Sequence, residues 1–208
     1  MGNTAMNKKL LFILGGIVLL VLLGGILWIG VFQQAGEPLD VLNQIEPFTL
    51  EDVMVGDTYN SDNDKIKLLS FIFINCPDGV CPTTMIDYKE LEETLKDQNL
   101  FGDEVELLSI TFDPERDTTE LLREYGEAFQ VDAEGWRVLR GSEEEIKAVA
   151  DGLKFFYGLN EDGTGYHSTT MFLLDADHQV RGLYLMSNTN QGMDQEAILE
   201  GINKLVKE

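Results

Sequence analysis

Two cysteines and two histidines are the residues of this 208-residue chain whose types suit soft-metal or redox chemistry. Cys76 and Cys81 are separated only by Pro77, Asp78, Gly79 and Val80. A disulfide between them would close so small a loop that little chain entropy would be removed. A purely structural bridge therefore explains the pair poorly, and thiol exchange or metal ligation explains it better. Both chemistries use the thiolate. Thiolates select copper(I) and zinc over harder ions, while imidazole suits copper in either oxidation state. Two thiolates and one imidazole would thus make a three-coordinate site for copper(I) or copper(II). His167, in Gly165-Tyr166-His167-Ser168 just before an apolar run, is the candidate imidazole. His178 falls in the polar stretch 175–179 and is expected to be a solvent-exposed turn residue.

The elements that must bring these groups together can be read from hydrophobic patterning. Residues 66–75 (IKLLSFIFIN) are apolar, β-branched and aromatic, and read as a buried strand that runs directly into the cysteines. Met85, Tyr88, Leu91 and Leu95 then recur at helical spacing, with Pro82 tolerable in the first turn. The thiols therefore sit at a helix start, where unpaired amides stabilise a thiolate. Residues 45–50 read as an extended segment, followed by a loop around Gly56. Residues 104–112 (EVELLSITF) predict a second buried strand. Asp117 is expected to cap the next helix with Glu120 as its capping-box partner, and Leu121, Leu122, Tyr125 and Phe129 to form its inner face. A further helix is expected from Ser142, with Glu145 in the capping position and Ile146, Val149 and Leu153 inward. Residues 170–174 and 180–186 predict a hairpin, and the last helix runs from Asp194 with Ile198, Ile202 and Leu205 on one face.

Crossover helices make the first two strands parallel, and the late hairpin adds an antiparallel pair. That order predicts an α/β, thioredoxin-like fold with a mixed central sheet flanked by helices. In such a fold the loop before the third core strand lies against the first strand-to-helix turn, which brings His167 to the cysteines by topology. Met171 is expected in the core by alternation, and Trp136 and Tyr166 are read as packing residues. Asp113, Glu115, Arg116 and Asp117 read as a strand-to-helix turn with a cap and an ion pair, or as a partner-docking cluster.

Four segments, in order, resemble the Sco (SenC) family of copper chaperones. They are FIFINCPDGVCP at 71–82, TFDPERDTTELLREYGEAF at 111–129, WRVLRGSEEEI at 136–146 and YHSTTMFLLDADHQV at 166–180. The resemblance implies that Cys76 and Cys81 are thiolate ligands and a redox pair and that His167 is the imidazole ligand; Asp78, at a family-matching position in the motif loop, reads as an orienting or electrostatic residue and not as a ligand. It implies a metallochaperone that assists assembly of the dinuclear copper (CuA) centre of cytochrome c oxidase, with the copper-bearing subunit as partner. A thiol-disulfide oxidoreductase that reduces that subunit's cysteines without carrying metal is the alternative, and the two roles can coexist. Two departures bear on metal geometry more than on fold. Four residues separate the cysteines where the family has three, with Gly79 placed to absorb the extra one, and the approach to His167 is shortened. A peroxide-reducing enzyme on the same scaffold fits less well, because no Thr-x-x-Cys arrangement precedes Cys76.

The resemblance also includes an amino-terminal anchor. Residues 10–32 carry no charge and are almost wholly apolar. As a helix they would span roughly 35 Å, enough for a hydrocarbon core. Lys8 and Lys9 precede the run, so residues 1–9 are expected in the cytoplasm and the rest outside. A cleaved signal peptide is the rival, but the run is long and no small-x-small site closes it. The expected organisation is a transmembrane helix at 10–32, a linker at 33–46 and a copper-binding thioredoxin-like domain at 47–208. That places the protein in the cell membrane as a single-pass protein. All 37 acidic residues but only 13 of the 15 basic ones follow residue 36, a net charge of −24 for the exported part. Nucleic acid is excluded as a partner; the charge favours solubility, or attraction of cations or a basic surface.

Overall fold

The structure, a computed structural model, describes residues 16, 17, 19–21, 38–188 and 190–208. From the amino-terminal side of the domain come strands β1 (Asn43–Gln44), β2 (Thr49–Asp52), β3 (Asp57–Asn60) and β4 (Ile66–Ile72), then helix α1 (Val80–Asp97). Next are β5 (Val105–Thr111), α2 (Thr119–Ala128), β6 (Trp136–Arg140) and α3 (Glu143–Leu153). The chain ends with β7 (Tyr157–Leu159), β8 (Gly165–His167), β9 (Thr170–Leu174), β10 (Gln179–Leu185) and α4 (Gln195–Leu205). The anchor expected at 10–32 lies outside the described residues apart from five positions, which are helical. Among the described residues no helix is long and apolar enough to cross a membrane.

The two unbroken apolar runs in the sequence become the central strands. Every residue of β4 and β5 is buried, as parallel strands covered on both faces require. They pair in parallel from Ile66↔Val105 to Ile72↔Thr111, and β5 pairs in parallel with β6. β9 joins the other side of β4 antiparallel, and β10 folds back on β9. The sheet order is β1-β10-β9-β4-β5-β6-β2-β3. This is the expected thioredoxin-like arrangement, with helices packed on a mixed sheet.

Packing of α1 follows its sequence spacing. Met85, Tyr88, Leu91 and Leu95 are fully buried, and each such side chain contributes about 1.5–3 kcal/mol by leaving water. The Tyr88 hydroxyl reaches the Leu68 carbonyl at 3.3 Å, and its ring meets Trp136 edge-on. Trp136 in turn donates its indole N–H to Ser109 at 3.0 Å. The capping box at Ser142 and Glu145 is formed as expected. So is the late turn, where the Asp175 carboxylate accepts from the amides of Asp177 and Gln179. Asp194 caps α4 through the Ala197 amide.

Several expectations are corrected. β6 (WRVLR) shows neither a continuous apolar run nor an alternating pattern, because Arg137 and Arg140 interrupt it three residues apart, and the segment around Gly56 is the bend of a hairpin, β2 to β3. Leu121 is exposed, while Leu122 and Gly126 carry the buried face of α2. Thr118, not Asp117, is the N-cap of α2, accepting from the Leu121 amide. Asp117 turns inward instead. Its carboxylate accepts from the Thr111 hydroxyl and from the Ile74 amide, and so ties the end of β5 to the segment that leads into Cys76.

That inward turn has a pH signature. Burial pushes the Asp117 carboxyl up, outweighing the hydrogen bonds from Thr111 and Ile74, to about 6. The native chain therefore holds a proton at pH values where the unfolded chain has lost it. This contribution to stability is fully present below about pH 4 and is lost as pH rises through about 6. Asp117→Asn cannot ionise and lacks it. Urea unfolding at both pH values should show the wild type gaining on the variant by on the order of 3 kcal/mol between pH 7 and pH 4. A difference that does not change with pH would contradict this account.

Candidate metal centre

The chain leaves β4 through Phe73 and Ile74 and must reverse into α1 within a few residues. Gly79 makes that possible: it sits at the helix N-cap with φ 76°, in the left-handed region that favours glycine. It is also the residue expected from the sequence to absorb a longer spacing between the cysteines. With no side chain at the cap, the free amides of the first turn find other partners. The Asp78 carboxylate accepts from the Val80 amide at 3.1 Å, and the Cys76 sulfur accepts from the Cys81 amide at 3.3 Å. Cys76 is half-buried and Cys81 wholly buried, and both are free thiols.

His167 does not lie in a loop, as expected, but ends β8, whose short antiparallel pairing with β7 sets Tyr157 opposite His167. Its ring is enclosed by Phe73, Phe112 and Phe155, at centroid distances of 5.9, 5.3 and 6.2 Å. Nδ1 lies 2.8 Å from the Ser168 carbonyl. A carbonyl only accepts, so Nδ1 carries the proton and the neutral ring keeps its lone pair on Nε2. Nε2 is buried and has no hydrogen-bond partner meeting ordinary geometry. The Cys76 sulfur, the Cys81 sulfur and a His167 ring nitrogen lie within 4.8 Å of one another, and among the described residues this is the one cluster of its kind. A buried nitrogen acceptor left open beside two sulfurs is the donor set a soft metal ion takes.

The acidities of the three groups are linked. The hydrogen bond from Cys81 holds the Cys76 thiol down, at about 6, against the cost of burial; His167 and the Cys81 amide add to the effect, and the Asp78 carboxylate opposes it. The bond to Cys76, burial and the nearby Cys76 charge push Cys81 the other way, strongly upward. Burial alone would lower His167, but the Cys76 sulfur and the Ser168 carbonyl outweigh it and the net shift is upward. The site thus separates a reactive, partly exposed thiolate from an interior thiol.

His178 is corrected: it is 3% exposed and bonds through Nε2 to the Ser61 hydroxyl at 2.9 Å. Ser61 also accepts from the Phe48 amide, so the pair fastens β9–β10 to the β3 end and takes no part in the cluster. Nothing in the local pattern of a polar turn signals such a distant partner. Met171 is core, as expected, whereas Tyr166 is 70% exposed and is not a packing residue of the core. Sequence reasoning missed the aromatic cage and the Ser168 carbonyl. Phe73 and Phe112 could have been found, since each follows a core strand; a backbone acceptor leaves no mark in the sequence.

Alkylation should separate the two thiols. Labelling of Cys76 by iodoacetamide is expected to follow an apparent pKa near 6, with Cys81 unreactive in the native chain. Asp78→Asn removes a carboxylate that opposes ionisation and should move the Cys76 profile to lower pH. Peptide mass spectrometry over a pH series reads both effects, and equal labelling of the two cysteines would refute the assignment.

Comparison with known proteins places this arrangement. The SCO1/SenC family pattern matches residues 42–207. An SCO2-like protein of Rickettsia felis is 34% identical over 148 residues, which cover 67% of this chain and 69% of that protein. The structure of Arabidopsis thaliana ScoI with copper bound superimposes with a TM-score of 0.62 at 28% identity, covering 78% of this chain and 98% of that one. BsSco, described as a member of the Sco family of cytochrome c oxidase assembly proteins and as containing a disulfide switch, superimposes at 0.66 with 25% identity, covering 81% and 95%. A pattern match over the whole folded domain, together with the cysteine-bearing turn at the end of its first central strand, shows that this chain belongs to the SCO1/SenC family.

Proposed function

We propose that the protein is a membrane-anchored copper metallochaperone that assists assembly of the dinuclear copper site of cytochrome c oxidase. Cys76 and Cys81 are the thiolate ligands and His167 the imidazole ligand. The observation that carries this reading is the convergence of two sulfurs and a His167 ring nitrogen within 4.8 Å, on a ring whose buried Nε2 has no hydrogen-bond partner. Thiolates hold copper(I), and the imidazole nitrogen extends the set to copper(II). Loading displaces protons from the sulfurs, so uptake weakens as pH falls through the Cys76 range. Copper in the Arabidopsis relative and oxidase assembly in the description of BsSco support the cargo and the partner. Residues 10–32 serve as the anchor, 33–46 as a linker and 47–208 as the copper-binding domain, on the outer side of the cell membrane.

A second reading, thiol–disulfide exchange on the oxidase cysteines, is favoured by one observation: the split between an acidic Cys76 and an interior Cys81. That is the asymmetry of an attacking and a resolving thiol. Exchange needs both cysteines but not His167.

The reduced full-length chain should bind one copper per molecule. Copper(II) should give thiolate-to-metal absorption that Cys76→Ser or Cys81→Ser abolishes. His167→Ala should weaken copper(II) by at least about tenfold, equivalent to roughly 1.4 kcal/mol. A fully reduced chain that takes up no stoichiometric copper would sink the metal reading and leave the exchange role.

A further inference from the structure

His167 rides on a hairpin that the main sheet does not hold. β7 and β8 form a two-stranded sheet of their own, with no ladder to the eight-stranded one. The hairpin's tip, residues 160–164, is closed by its own bonds, Asn160 to Thr164 and Gly163 to Asn160. Among the described residues, the hydrogen bonds that reach this tip from outside come from two side chains. Arg116 donates from Nη2 to the carbonyls of Asn160 and Glu161, at 3.2 and 3.4 Å. Asn75, next to Cys76, donates to the Gly163 carbonyl at 3.0 Å. Arg116 is itself aimed by Asp113, which is 1% exposed and accepts from Nη1 at 3.1 and 3.2 Å. The approach is close: Gly163 has φ +80°, and a Cβ there would stand 3.1 Å from Arg116 Nε and 3.4 Å from Asn75 Nδ2.

We propose that Arg116 and Asn75 are positioning residues that clamp the tip of the β7–β8 hairpin and thereby fix His167 over the two sulfurs. The clamp reaches the hairpin tip from two separate segments: Asn75 from the turn between β4 and Cys76, and Arg116 from the turn after β5. A guanidinium suits the task because its planar fork can hold the Asp113 carboxylate with one nitrogen and two hairpin carbonyls with the other. An ammonium lacks that fork. The charged cluster at 113–117 thus acts on the site without touching it. This inference rests on the metal reading for its affinity readout, but not for its structural one.

The test uses the full-length chain. In the metal-free protein, Arg116→Gln should speed amide exchange in the hairpin, at Asn160 and Gly163 above all, and leave β4 and β5 protected. In the loaded protein it should weaken copper(II) about tenfold, the scale on which groups that orient a ligand act, and shift or broaden the thiolate-to-copper band. Asn75→Ala should do the same independently, and Arg116→Lys should recover little, since charge alone does not restore the fork. In a His167→Ala background, Arg116→Gln should add no further loss. Unchanged hairpin exchange in both Arg116→Gln and Asn75→Ala, or an undiminished affinity loss without His167, would overturn the clamp. If the wild type binds no copper, the metal reading fails while the exchange data still decide the clamp.

Discussion

The site depends on one hydrogen bond, from His167 Nδ1 to the Ser168 carbonyl. Because the carbonyl cannot donate, the bond settles which nitrogen holds the proton, and only then is Nε2 free to face the sulfurs as an acceptor. The cage of Phe73, Phe112 and Phe155 supports the same choice from the apolar side. It packs the ring and offers no competing polar partner. An orphaned acceptor in such surroundings costs free energy when nothing fills it, so the arrangement stores an affinity for whatever donor or cation can reach it.

The two thiols divide the work by where they sit rather than by what they are. Cys76 lies before the helix, half-buried, and takes the Cys81 amide into its hydrogen-bonding shell. Cys81 lies one residue inside the helix and is sealed from solvent. Each pushes the other's acidity in the opposite direction, because a thiolate at one position is stabilised by a thiol at the other. Asp78 tempers this. Its carboxylate caps the Val80 amide and also stands 2.9 Å from the Cys76 sulfur, so a residue that organises the turn makes the sulfur harder to ionise. With four residues between the cysteines, the donor atoms still lie within 4.8 Å of one another.

Much of this was legible in the sequence, and the limits have physical causes. β4, β5 and α1 announce themselves because their burial is continuous or strictly periodic, and the cysteines follow from them directly. The approach of His167 follows from topology, since strand order fixes which loops meet. What could not be read depends on partners far apart in the chain. Asp117 looks like a cap because it stands where caps stand; only the structure shows the Ile74 amide drawing it inward. His178 looks like any turn histidine until Ser61, on another element, takes its proton or gives one. β6 carries two arginines three residues apart, which breaks both strand patterns, and those arginines find partners in Asp52, Glu106 and the Asp117 carbonyl.

Asp117 shows why such a residue persists at some energetic cost. A buried carboxylate whose ionisation is penalised destabilises the native chain at neutral pH. An apolar side chain there would remove the penalty but leave the Ile74 amide and the Thr111 hydroxyl proton without an acceptor, which is costly in turn. The carboxylate is therefore the less unfavourable solution to a geometric demand. The segment from the end of β4 to Cys76 must leave the sheet at a defined point, and its Ile74 amide needs an acceptor. Stability lost at Asp117 is exchanged for a fixed departure point of the cysteine turn, and on the proposed reading the metal geometry inherits that fixity.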